Sequence, residues 1–208
     1  MEEANEPAEA RQRDRAKTHD AILSAAKVVL AEDGFQGFGI NSIARKAGCD
    51  KQLIYRYFGG IEGLIDAIGA DLATWISDAA TAHAVKPETY SQWVETLLSG
   101  YMAAFRQNTL VQKISAWEIA DSSPLVRQLS KARSVALGRW IAAQRGELQP
   151  PAGIDAAATN AILIAAAQHM ILASSTLGGF SGLPLASVTD WARLDSALAI
   201  TIRKVYAD

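Results

Sequence analysis

Lys51, Gln52, Tyr55 and Arg56 fall within two helical turns and carry the groups that suit a DNA duplex. A glutamine amide can pair bidentately with adenine, and a lysine or arginine head group with guanine. Tyrosine hydroxyls and short polar side chains commonly hold phosphate oxygens. Just upstream, Asn41, Ser42 and Arg45 form a second polar cluster suited to crossing a phosphate backbone. Leu53 and Tyr57 fall inside the same segment, and Lys17 lies in a basic arm with Arg11, Arg13 and Arg15. These residues define a candidate DNA-contacting set: Lys17, Asn41, Ser42, Arg45, Lys51, Gln52, Leu53, Tyr55, Arg56 and Tyr57.

Two short helices must position them. Ile40, Ile43, Ala44 and Ala47 fall on one face of a helix over Ile40 to Ala47. Gly48 suits the left-handed residue that ends it. Asp50 then offers an N-cap to a second helix, Lys51 to Phe58, through the amides of Gln52 and Leu53. Ile54 and Phe58 face inward one turn apart, which leaves the polar groups outside. Two helices joined by a short glycine-containing turn form the unit that places a recognition helix in the major groove. A preceding helix over Arg13 to Asp33, with Ile22, Ala25, Ala26, Val29 and Leu30 on its buried stripe, ends at Gly34.

The order and spacing of Thr18-x-x-x-Ile22-Leu23-x-Ala25-Ala26, Ala31-Glu32-Asp33-Gly34-Phe35, Ile43-Ala44-x-x-Ala47-Gly48, Ile54-Tyr55-x-Tyr57-Phe58 and Glu62-x-Leu64 resemble the N-terminal domain of TetR-family transcriptional regulators. The motif covers about a quarter of the chain. The resemblance implies an all-α protein: a three-helix helix-turn-helix head followed by a divergent helical domain for effector binding and dimerisation. Three positions depart from the family pattern. Gly39 stands where Ser or Thr usually caps the first helix of the motif, and glycine is a weaker cap. Ile61 stands where a phosphate-contacting Lys is common before Glu62. Gln52 replaces a small residue after Lys51.

The 208-residue chain is 50% hydrophobic and 20% charged, enough to bury a globular core in one or two domains. Its net charge of −2 hides an asymmetry. Residues 11–58 hold nine Lys or Arg against five Asp or Glu, residues 59–208 eleven against thirteen, and the first ten residues hold four acids. Positive potential therefore gathers where phosphates would be neutralised. No run approaches 18 uninterrupted apolar residues, so a membrane span is not expected. The polar N-terminus lacks a signal core, and a cytoplasmic protein with a disordered arm over residues 1–12 is expected. The single cysteine, Cys49, excludes an intramolecular disulfide and reads as a small apolar residue in the turn. No metal-ligand spacing, phosphate loop or nucleophile elbow is present, and His19, His83 and His169 are scattered. No enzyme, cofactor or metal is expected.

Beyond the head (13–60), residues 61–208 read as helical, with no alternating strand and about nine helices in all. Expected helices run from Ile61 to His83, Pro87 to Gln107, Leu110 to Ala120, Pro124 to Gly146, Asp155 to Thr176 and Thr189 to Tyr206. A Gly/Pro/Ser-rich loop, Gly178 to Pro184, separates the last two. Apolar and aromatic groups with few polar ones suit a ligand site. Trp75, Trp93, Met102, Phe105, Trp117, Glu118, Trp140, Gln168 and His169 are the candidates. Ile162, Ala165 and Ala166 on a nearly all-apolar helix, with Trp191, Leu194, Leu198 and Ile202 on the next, suggest a symmetric four-helix interface. The expected function is a homodimeric regulator, a repressor released from a palindromic operator by a small, largely hydrophobic or aromatic effector. The alternative is a helical small-molecule-binding protein whose operator binding is weakened or lost, motivated by Ile61 and Gly39.

Overall fold

The computed structural model describes residues 6–81 and 87–207. His83 and the first five residues of the expected arm lie outside them. Among the described residues there are nine helices and one two-stranded hairpin. The helices are α1 (Glu6–Gly37), α2 (Ile40–Ala47), α3 (Lys51–Phe58), α4 (Ile61–Thr81), α5 (Tyr90–Gln107), α6 (Thr109–Ala120), α7 (Pro124–Arg145), α8 (Ala156–Leu177) and α9 (Val188–Val205). The hairpin pairs β1 (Gly179–Phe180) antiparallel to β2 (Leu183–Pro184).

Two expectations need correction. The arm is already helical from Glu6, so the first helix starts well before Arg13. The Gly/Pro/Ser-rich loop is in part this hairpin. Ser181 and Gly182 both take positive φ, 50° and 81°, as the mirror-image turns that match strand twist require.

The chain divides into two compact units, and the division is not the continuous one read from the sequence. One unit takes the chain up to Ala73 together with Lys113–Ala136; the other takes Thr74–Gln112 and Leu137–Asp208. A cut at residue 60 separates the head from helices that pack with it. In the first unit Ile22, Leu30, Ile43, Ile54, Leu64, Ile65 and Ile68 are fully buried. Polar ties surround this core. Lys27 Nζ lies 2.7 Å from Asp71 of α4. Gln128 Nε2 of α7 donates to the Glu62 carbonyl (2.9 Å) and to Asp66 (2.8 Å) of α4. At Gly69 of α4, a Cβ would stand 2.7 Å from that of Ala132 on α7, so only the missing side chain permits this approach.

In the second unit α5 packs on both α8 and α9. Asn160 of α8 bridges two tyrosines: its Nδ2 reaches the Tyr90 hydroxyl at 3.1 Å, and its Oδ1 accepts from Tyr206 at 2.8 Å. The α9 stripe corrects another expectation. Trp191, Leu194 and Ile202 are 8%, 7% and 1% exposed and close the unit's own core. The Arg106 guanidinium of α5 sits 3.8 Å from the Trp191 ring centroid. A three-four apolar repeat marks a buried face without specifying the surface that buries it.

Helix α9 begins in a reciprocal cap. Ser187 Oγ accepts from the Asp190 amide (3.1 Å), and Asp190 Oδ2 accepts from the Ser187 amide (2.9 Å). The hydrogen bonds from the Ser187 amide and hydroxyl hold the Asp190 carboxyl below its ordinary range. A depressed carboxylate pKa contributes stability above its ordinary value, and that contribution is lost as pH falls through the lowered one. Asp190→Ala should therefore lower Tm at pH 7, and the gap from wild type should narrow only as pH falls below the ordinary aspartate range. Thermal melts across that range check it; a gap independent of pH would assign the effect to packing.

Candidate nucleic-acid interface

The head is built around two buried isoleucines. Ile43 of α2 and Ile54 of α3 are both 0% exposed. Between them the turn matches its sequence signals. Gly48 is left-handed (φ 65°, ψ 33°), and its amide and that of Cys49 return to α2 carbonyls. Asp50 Oδ1 accepts from the Gln52 amide at 2.7 Å. With Ile54 fixed inward, the 3.6-residue period turns Lys51, Gln52, Tyr55 and Arg56 outward, and all four are exposed. Tyr55 is 55% exposed despite its size. Asn41 and Arg45 of α2 and Lys17 of α1 are exposed as well.

Three expected contacts have other surroundings. Ser42 is the cap that Gly39 cannot supply. Its hydroxyl accepts from the Gly39 amide (3.2 Å) and reaches the carbonyls of Gly37 (2.9 Å) and Gly39 (2.8 Å). The weak cap read from Gly39 alone is thereby offset from within α2. Leu53 is half-buried. Tyr57 is half-buried too, with its ring edge-on to His19 and the Arg15 guanidinium 5.8 Å from its centroid. His19 also stacks on Phe58 at 4.6 Å, so this histidine joins α1 to α3. Sequence spacing alone could not show that, because the partners lie 38 and 39 positions away.

Charge in the head is partly internal. Lys46 pairs with Glu32 at 2.7 Å. Cys49 is half-buried, and burial, then the neighbouring Asp50 charge, push its thiol pKa up. A raised thiol pKa keeps it protonated near neutrality, in keeping with a small apolar role.

The candidate effector residues are divided between the two units. Trp93, Met102 and Phe105 of α5 are buried in the second unit, and Trp93 Nε1 has no hydrogen-bond partner among the described residues. Trp75, Trp140 and Gln168 are half-buried in the same unit. His169, in contrast, is exposed, edge-on to Phe180 of the hairpin at 4.5 Å. Trp117 and Glu118 belong to the first unit. Trp117 lies against α1, its Nε1 3.4 Å from the Ala31 carbonyl, and Glu118 pairs with Arg133 of α7 at 2.7 Å. A groove of about 890 Å³ in the second unit is lined by Ala80, Gln92, Glu95, Thr96, Ser99 and Arg203 among others, and by none of these candidates. Among the described residues its lining contains no aromatic ring, contrary to the apolar site expected from composition.

The α8 surface is apolar and open. Ile162 is 69% exposed, Ala165 and Ala166 are exposed, and Leu198 of α9 is half-buried. Ile164, Phe180 and Ile200 add exposed apolar area. By length and composition α8 could cross a membrane, with a mean hydropathy of 1.5 over its best 18-residue window, although polar residues interrupt it. Only 22% of that window is buried inside the chain.

Residues 22–68 match the profile of a family described as bacterial regulatory proteins, tetR family. The HTH-type transcriptional regulator AlkX of Mycobacterium tuberculosis is 26% identical over 141 residues, which are 62% of this chain and 66% of that protein. The HTH-type transcriptional repressor SCO4008 of Streptomyces coelicolor is 33% identical over 91 residues, 44% of this chain and 46% of the other. The chain thus spans about two thirds or less of the length of the curated relatives it matches. Among solved structures, a TetR-family transcription regulator from Shewanella sp. PV-4 superposes with a TM-score of 0.66 at 19% identity, covering 89% of this chain and 95% of the other. Salmonella enterica GusR gives 0.64 at 17% identity, covering 92% and 96%. At such identities the likeness establishes the fold.

Proposed function

We propose, from the premise that this chain belongs to the TetR family of bacterial regulators, that it is a homodimeric repressor released from a near-palindromic operator by a small-molecule effector. The observation that carries the reading is the outward set Lys51, Gln52, Tyr55 and Arg56 on a capped helix whose opposite side is anchored by Ile54. A helix so mounted can lie in a major groove, with Gln52 against a base edge, Tyr55 on a phosphate, and Lys51 and Arg56 on either. Exposed Asn41 and Arg45, and Lys17, can contact the flanking backbone. The name of the Streptomyces coelicolor relative favours a repressor.

A second copy of the chain is the occupant proposed for the open α8 face. Small side chains there allow close helix approach, and a twofold partner would cover Ile162, Ala165 and Ala166 with their own equivalents. Paired heads match paired half-sites. The effector is proposed to bind in the second unit near Trp93, whose buried indole N–H is unsatisfied, and to be largely hydrophobic or aromatic with at least one hydrogen-bond acceptor. It acts only through its different affinity for DNA-competent and DNA-incompetent states.

Selection of bound duplexes from a randomised pool tests the reading. An enriched, near-palindromic sequence whose binding weakens steeply with salt is expected. Recovery of no sequence, at low salt as well as high, would favour the rival reading of a ligand-binding protein that has lost its operator.

A further inference from the structure

We infer that Trp117 is a positioning residue for DNA binding: it fixes the joint between α1 and the helix-turn-helix by covering Gly34. The inference rests on the DNA-binding reading of the head. Helix α1 breaks at Gly34, where φ is 67° and ψ −169°. That combination is open to glycine and very costly for any other residue. One turn before the break, the indole N–H of Trp117 approaches the Ala31 carbonyl (3.4 Å).

The ring closes over the joint itself. A Cβ on Gly34 would stand 2.8–3.0 Å from Cδ2, Cε3 and Cε2 of Trp117. Only a bare α-carbon admits the ring at this distance. Yet Trp117 is 37% exposed, so it is not a core residue filling space. Its backbone neighbour is anchored. The next residue, Glu118, pairs with Arg133 of α7, with side chains 10% and 21% exposed.

Only a short stretch of chain separates the joint from α2. Phe35 and Phe38 are buried, the Gly37 carbonyl accepts from Ser42, and α2 begins at Ile40. A change of angle at Gly34 is therefore a change in how α2 and α3 are offered to a duplex. Trp117 meets α1 at Gly34 and Ala31, so a head without the indole is expected to keep its capped α2–α3 turn and to lose a fixed orientation.

Loss of orientation has a signature that loss of stability lacks. One head can still seat on one half-site, whereas two heads must seat together. A loose joint lowers the effective concentration of the second head. Trp117→Ala should keep single-half-site affinity within about twofold and lower the advantage of the two-half-site duplex roughly tenfold. Trp117→Phe, which keeps a ring on Gly34, should retain most of that advantage. Both duplexes come from the selected sequence, and fluorescence anisotropy with the full chain gives the ratio. Equal losses on the two duplexes, or an unchanged ratio, would overturn the inference.

Hydrogen exchange supplies a readout without DNA. Trp117→Ala should speed exchange at the amides of residues 35–38 about tenfold or more while leaving α9 unchanged. Unchanged exchange at 35–38 would overturn the inference even if wild type selected no duplex. That last result would count against the DNA-binding reading alone.

Discussion

Ala165→Glu is expected to make the protein monomeric and to weaken binding to a two-half-site duplex about a hundredfold or more, leaving single-half-site affinity nearly unchanged. The reason lies in the surface of α8. Ile162, Ala165 and Ala166 recur at helical spacing on a face that the described residues leave exposed, and Ile162 is 69% exposed. Scattered apolar residues on a surface are ordinary, but a continuous apolar face suits the docking proposed for it. A twofold axis brings each substitution in twice, so two unpaired carboxylates would be buried against one another. Burying unpaired charge costs several kcal/mol, enough to dissociate an interface of ordinary size. Light scattering after gel filtration reads the mass, and anisotropy on the two duplexes reads the coupling. A dimeric Ala165→Glu protein would remove α8 from the interface.

The contrasting variant is Leu194→Ala. Apolar periodicity groups Leu194 with Ala165, but Leu194 is 7% exposed within its own unit. Its truncation should leave the mass unchanged and cost roughly 2–5 kcal/mol of fold stability, seen as a lower Tm. The two variants thus separate the surface proposed to meet a second copy from one already covered.

That difference shows where sequence reasoning reaches its limit. The bounds of α2 and α3 follow from local signals, a glycine that turns left-handed at position 48 and an aspartate that caps at position 50. Such signals act over a few residues and need no knowledge of the rest of the chain. The stripe on α9 is equally legible as a stripe. Its partner is not, because Trp191 meets α5 through Arg106, 85 residues earlier. Trp117 reads as one aromatic among several, and its place against α1 depends on a backbone break at Gly34, 83 residues away. Ser42 is legible as a polar residue on α2, but its capping role depends on a Gly39 amide that needs an acceptor. The candidate effector set disperses for a related reason. Composition selects the aromatic residues without showing which unit each belongs to.

The same distinction governs the cations of the head, and it sets the second large effect. Lys46 is tied to Glu32, Lys27 to Asp71, and the Arg15 guanidinium lies by the Tyr57 ring. Among the described residues no ion pair engages Lys51 or Arg56, and both side chains are exposed on α3. Ile61 supplies no charge at the start of α4, so under the proposed DNA-binding reading these two residues are expected to carry a large share of phosphate neutralisation. Each phosphate neutralised contributes about 0.9 to the slope of log affinity against log salt. Lys51→Ala with Arg56→Ala should therefore reduce the magnitude of that slope by about 1.8 per head. Between about 50 and 200 mM salt, the wild-type head should lose roughly tenfold more affinity than the variant head. If both residues hold phosphates, the loss at low salt should be similar on every duplex. Gln52→Ala should behave differently, costing about 1–3 kcal/mol at one base position and leaving the salt slope intact. Anisotropy titrations of half-site duplexes across a series of salt concentrations distinguish the two. An unchanged slope in the double variant would move the phosphate contacts to Lys17, Arg45 and the N-terminal arm, and would leave Lys51 and Arg56 as readers of bases.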